Sequence, residues 1–142
     1  MTLEQKRAAL AFGHVQKVAE QYPLKDSAER QQYGTLAAKL PALIQAAGLC
    51  QAVHFVRSRR PKKENLPDLP TLLLSHLADQ LQRVDRKIED ADSLCEQIRE
   101  APTAAYLWLS REAVASATWY ARLAKSELGV DVTADSDRGN PT

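Results

Sequence analysis

Tyr106-Leu107-Trp108-Leu109-Ser110-Arg111-Glu112-Ala113, running on to Thr118-Trp119-Tyr120-Ala121-Arg122-Leu123-Ala124, is the stretch that decides the fold. At helical spacing Tyr106, Leu109, Ala113, Ala117, Tyr120, Ala124 and Leu128 fall on one stripe, and Trp108, Ala115, Trp119 and Leu123 on a second. A helix apolar over most of its circumference is predicted to lie at the centre of a bundle, contacted by several others. Alanines among the large aromatics let those neighbours approach closely. Gly129 is the expected C-cap, and residues 130–142, polar and aperiodic, read as a flexible tail.

Working outward, Leu40-Pro41-Ala42-Leu43-Ile44-Gln45-Ala46-Ala47 forms an apolar helical run broken at Gly48 and resumed at once by Leu49, Ala52, Val53 and Val56. Gly48 there permits a close helix approach or a redirected chain. Upstream, Thr2 with Gln5 is a capping box, and Leu3, Leu10, Ala11, Val15, Val18 and Tyr22 recur at helical spacing until Pro23. Asp26 with Glu29 is a second box, opening a helix that carries Tyr33, Leu36, Ala37 and Leu40; Pro41 can begin a further turn. Residues 57–70, with three prolines and five bases, are expected to be an exposed connector. Asp68 can cap the next helix, which turns Leu72, Leu73, His76, Leu77, Leu81, Val84 and Ile88 inward. After a reset near Asp90 and Asp92, Leu94, Cys95 and Ile98 mark a shorter helix ending by Ala101-Pro102. The expected fold class is all-α: a single helical bundle of about five to six helices over residues 1–129, followed by the tail.

Composition narrows the functional classes. The chain of 142 residues is 44% hydrophobic and 26% charged, ordinary for one folded domain. Its N-terminus lacks the order of a signal peptide, and no apolar run approaches the ~20 residues that span a bilayer, so a cytoplasmic protein without membrane contact is expected. Cys50 and Cys95 sit in apolar helical patterns without ligand spacing and read as small buried hydrophobes. The chain carries no Walker loop, GxGxxG, HExxH or GxSxG. His14, His54 and His76 fall singly on helices, as boundary or core residues. Glu89-Asp90-Ala91-Asp92 offers oxygens to a cation but lacks the glycine turn and terminal glutamate of a calcium loop. No catalytic residue, metal ligand or cofactor is assigned.

The net charge of +1 conceals segregation. Arg57, Arg59, Arg60, Lys62 and Lys63 lie within seven residues, with no acid before Glu64. Such density suits an arm that reaches phosphates and releases their counterions; the alternative is a solvated loop. Without aromatics in the loop, any recognition is of backbone, not sequence. On the last helix Arg111, Thr118, Arg122 and Lys125 share a narrow polar arc. Arg111 and Arg122 can instead pair with an acidic neighbour among Asp85, Glu89, Asp92, Glu96 and Glu100, leaving Lys125 for phosphate. Arg83, Arg86 and Lys87 form a partly neutralised face, and Lys6 and Lys17 share one side of the first helix.

Arg7-Ala8 with Val15, Leu40-Pro41, Gly48-Leu49 with Phe55, and Tyr106 through Arg122 together resemble the all-helical small subunit of the type III-B CRISPR effector, the Cmr complex. The resemblance covers roughly residues 6–125. The small subunits of type III-A complexes are also helical; the Leu-Pro…Gly-Leu arrangement and the Trp-Tyr-Ala-Arg ending favour type III-B. The resemblance implies a non-catalytic subunit whose copies stack in a minor filament against the backbone subunits and the large subunit. It also implies backbone contact with the duplex of guide RNA and target RNA. Arg57, Arg59, Arg60, Lys62 and Lys63, then Arg122 and Lys125, are the candidate nucleic-acid-binding residues. The rival class is an autonomous helical adaptor for one protein partner, separable by salt dependence of RNA binding; an enzyme using Glu89–Asp92 is a third.

Overall fold

The computed structural model describes residues 1–131; the segment 132–142 of the expected tail lies outside them. Six helices form: α1 (Leu3–Gln21), α2 (Ala28–Ala47), α3 (Leu49–Ser58), α4 (Leu69–Leu81), α5 (Ala91–Glu100) and α6 (Thr103–Leu128). No strand occurs among the described residues, and none of their helices is long and apolar enough to cross a membrane.

Local chemistry sets most boundaries. Thr2 and Gln5 close the expected capping box on α1, with Gln5 N donating to Thr2 Oγ1 at 3.1 Å. The second helix starts one residue later than the sequence suggests. Ser27, not Asp26, is its cap, accepting from Arg30 N, because its extended backbone aims the hydroxyl at the helix start. Pro41 lies inside α2 and opens no new helix. The break comes at Gly48, where φ of +88° turns the chain between α2 and α3 without the Cβ penalty. Gly48 offers α3 no side-chain cap; the Tyr106 hydroxyl accepts from Cys50 N at 2.9 Å instead, so α6 satisfies the first turn of α3. Asp68 caps α4, as the sequence predicts, and Asp90, where the sequence pattern only resets, caps α5 in a box with Ser93.

The predicted primary stripe of α6 is the core seam. Leu109, Ala113, Ala117, Tyr120, Ala124 and Leu128 are buried, and α6 packs on α1, α2 and α4. The second stripe is not core: Trp108 stands 63% exposed, and Ala115, Trp119 and Leu123 are half-buried. The three packed neighbours do not close around that side of α6. Leu3 and Val84 are also exposed; Val84 falls beyond α4, which ends at Leu81, and Ile88 is buried from a turn instead of a helix.

The expected tail yields at its first residue. Val130 is buried, and its Cγ2 lies 2.1 Å from where a Cβ on Gly34 would be. A glycine on α2 is what lets the chain after α6 close against it. Arg30, also buried, donates to the carbonyls of Tyr22, Glu127 and Leu128 at 3.1 Å each. A guanidinium on the last carbonyls of α6 answers both their unpaired lone pairs and the negative helix end.

Candidate nucleic-acid interface

The basic segment is built by the end of one helix and the turn that follows. α3 runs to Ser58, so Arg57 belongs to its last turn and the connector begins at Arg59. The sequence places Arg57 in a loop with no nearby acid; in the fold its Nη2 donates to Asp92 Oδ1 on α5, and it is 23% exposed. The acid that pairs with it is distant in sequence and adjacent only in the fold. Beyond it, the Arg59 and Arg60 amides donate to the Val56 and Arg57 carbonyls at 3.0 and 3.2 Å, a tight turn ending in Pro61. Arg59, Arg60, Lys62 and Lys63 are exposed and form no ion pair among the described residues.

On α6, Arg122 and Lys125 are exposed. Arg111 and Arg122 do not pair with the acids considered for them. Their guanidinium carbons lie 5.8 and 5.6 Å from the ring centroids of Trp108 and Trp119, one helical turn back. Each tryptophan thus holds an arginine in a cation–π contact and leaves its charge outward. Thr118, in the same arc, bonds back to its own helix, its Oγ1 donating to Val114 O at 2.8 Å.

The fold adds bases that the sequence does not point to. Arg59 shares a groove of about 750 Å³ with Lys25, Lys39, the carboxylate of Asp26 and the exposed ring of Phe55. Lys25 lies in the turn before α2 and Lys39 on the outer side of α2, so no linear pattern connects them to Arg59. Other charges are absorbed internally. Glu112 on α6 is 7% exposed and accepts from Arg7 Nε at 2.7 Å and Nη2 at 2.9 Å, from Arg83 Nη2 at 3.0 Å and from Ser116 Oγ at 2.8 Å. Burial pushes this carboxyl up, but the hydrogen bonds from Arg7, Ser116 and Arg83 outweigh it and hold the pKa below the usual range.

The histidines divide in the same way. His14 and His76 stack at 4.0 Å between ring centroids, bonded to the Tyr120 and Tyr33 hydroxyls at 2.7 Å each. Burial, with His14 and Lys17 nearby, pushes His76 down to about 3. Glu89-Asp92 shows no convergence: Asp90 caps α5 and Asp92 takes Arg57. No group of three or more His, Cys, Asp or Glu suited to a metal occurs among the described residues. Cys95 is buried and Cys50 half-buried, both free thiols.

These features define a class: a small helical domain with a hydrogen-bonded polar interior and exposed, aromatic-backed bases. Residues 3–127 match the family model described as "CRISPR-associated protein (Cas_Cmr5)", and the chain belongs to that family. A curated relative, the "CRISPR system Cmr subunit Cmr5" of Thermus thermophilus, is 36% identical over 97 residues, 68% of this chain and 75% of the relative. The crystal structure of a CRISPR-associated Cmr5 family protein from the same organism superposes with a TM-score of 0.70 and 33% identity, covering 89% of this chain and 97% of that one. The resemblance carried by Arg7, Leu40-Pro41, Gly48-Leu49 and Tyr106–Arg122 therefore holds.

Proposed function

We propose that the chain is a non-catalytic subunit of a type III-B Cmr ribonucleoprotein, held among other subunits and further copies of itself and touching the guide–target RNA duplex through phosphates. The observation that carries the reading is the family match over residues 3–127 combined with four unpaired exposed bases at 59–63. Within an otherwise nearly neutral chain, that concentration is a local field suited to a polyanion. Protein contact is supported separately by Leu107 and Trp108, 57% and 63% exposed at the start of α6, and by an apolar groove of about 500 Å³ that Tyr106 and Val114 of the same helix line with Ile44 and Leu49.

A tagged chain expressed in its native host should bring down guide RNA together with the other effector subunits. Recovery of neither defeats the assignment. Isolated protein should bind an RNA duplex with an affinity that falls steeply as salt rises. Binding to one protein partner with no RNA affinity at any salt would favour the adaptor.

A further inference from the structure

His54 and Arg57, three residues apart on α3, line a cleft where that helix meets α5. The cleft has two joined parts, of about 610 and 320 Å³, which share His54, Arg57 and Arg60. Lys62 completes one part and Arg99 the other, so four cations line it against the carboxylates of Asp92 and Glu96. Asp92 is already engaged by Arg57 Nη2. Two nitrogens in this wall are shut from solvent without a hydrogen-bond partner: Nε2 of His54 and Nη1 of Arg57. A buried guanidinium N–H left unpaired is costly, and folded proteins rarely leave one without cause.

We propose that this cleft seats phosphate, and that the phosphates are successive backbone groups of one RNA strand. Asp92 fixes one arm of Arg57; the other arm and the His54 ring, shut from solvent in the empty cleft, meet a phosphate oxygen once their side chains turn outward on binding. His54, as the tautomer carrying hydrogen on Nε2, is the second inner donor. Arg60 and Arg99, both exposed, close on the ligand from the rim with their planar forks. With Asp92 and Glu96 counted against the four cations, about two positive charges remain, which two phosphodiesters balance. The source of the phosphate rests on the RNA reading above; the phosphate chemistry of the cleft does not. The proposal also divides the basic segment, since Arg57, Arg60 and Lys62 line the cleft and Arg59 and Lys63 do not.

The test follows the His54 ring and arginine side-chain NMR signals of the full-length chain. It uses three probes: an octanucleotide without terminal phosphate, the same strand with a 5′-phosphate, and inorganic phosphate. The unphosphorylated strand should shift His54 and Arg57, and phosphate should shift the same signals at higher concentration. Arg60→Gln and Arg99→Gln should each weaken strand binding several-fold and lower the salt slope by about one. Both side chains are on the surface, so the fold tolerates their loss. Wild-type binding by both variants, with His54 unmoved, would overturn the cleft and leave RNA contact elsewhere. Shifts with phosphate but with neither strand would keep the seat and remove RNA as its source. Shifts only with the 5′-phosphorylated strand would replace backbone groups by a terminal phosphate. No shift with any probe overturns the proposal.

Discussion

Glu112 stands 7% exposed with two arginines and a serine hydroxyl on its oxygens, whereas Arg59, Arg60, Lys62 and Lys63 face solvent and form no ion pair among the described residues. One region uses charge to hold helices together. Arg7 comes from α1, Arg83 from the turn after α4, and both meet on α6. The other region holds nothing together, so its charges are free to act on something outside the chain. A buried ion is costly unless every partner is present, while an exposed one contributes little to stability either way. The contrast predicts that stability and nucleic-acid binding separate by region.

The largest stability effect should come from Glu112→Ala, which removes the carboxylate shared by Arg7 and Arg83 and leaves them only Glu4 and Gln80 as side-chain partners. Removing one partner of a fully buried pair costs about 3–5 kcal/mol, and because Arg7 and Arg83 reach solvent the drop in denaturation midpoint should correspond to the lower end of that range. An unchanged midpoint would mean that water replaces the carboxylate, and the distinction between the two regions would fail.

Acid should act next, through the histidine stack. Burial lowers the pKa of His14, against the opposing pull of Asp79, and takes His76 to about 3 from an ordinary 6.5. An unfolded imidazole therefore binds a proton where the folded one does not. Stability is complete above about pH 6.5 and falls as pH drops toward 3, by about 1.4 kcal/mol per pH unit for each proton taken up. The carboxylates that add to this loss, Glu112 and Asp90, titrate below 4.5 and 3.8, so the interval above pH 4.5 belongs to the imidazoles. Denaturant midpoints of His76→Gln measured from pH 7 to 4.5 should show a shallower slope; a wild-type slope would remove His76 as its source.

A smaller loss should follow Gly34→Ala. The new methyl would overlap Val130, forcing a shift worth about 1–3 kcal/mol. Combining it with Val130→Ala should recover part of that loss. If Gly34→Ala costs nothing, the residues after α6 do not pack on α2.

How far each region was legible in the sequence follows from the range of the interaction involved. The Thr2–Gln5 box, the αL cap at Gly129 and the buried stripe from Leu109 to Leu128 depend on neighbours within a turn or on one period, and these were readable. Trp108 misled because periodicity reports which residues share a face, not how many helices cover it. Arg57–Asp92, Arg7–Glu112 and His14–His76 join residues 35, 105 and 62 positions apart, and no spacing rule reaches that far. Arg7 was visible only as part of a family pattern; its bond to Glu112 gives that pattern a structural cause. The exposed bases were legible as a run, but the groove with Lys25 and Lys39 was not.

The smallest stability effect, and the sharpest test of the contrast, is replacement of Arg59, Arg60, Lys62 and Lys63 by Ser together. None of the four holds an ion pair, so each substitution should leave stability within about ±0.5 kcal/mol. Arg57 is kept, because its bond to Asp92 ties α3 to α5 and its loss would mix the two effects. Duplex RNA affinity should nevertheless fall, equally for any target sequence, because phosphates are contacted and bases are not. The slope of log affinity against log salt should become shallower by about one for each phosphate contact removed. Filter binding across a salt series, with a chemical melt of the same sample, gives both quantities. Unchanged affinity and slope with unchanged stability would show the segment to be a solvated connector, and would move the search to Arg111, Arg122 and Lys125, where two of the three charges already stand braced on tryptophan rings.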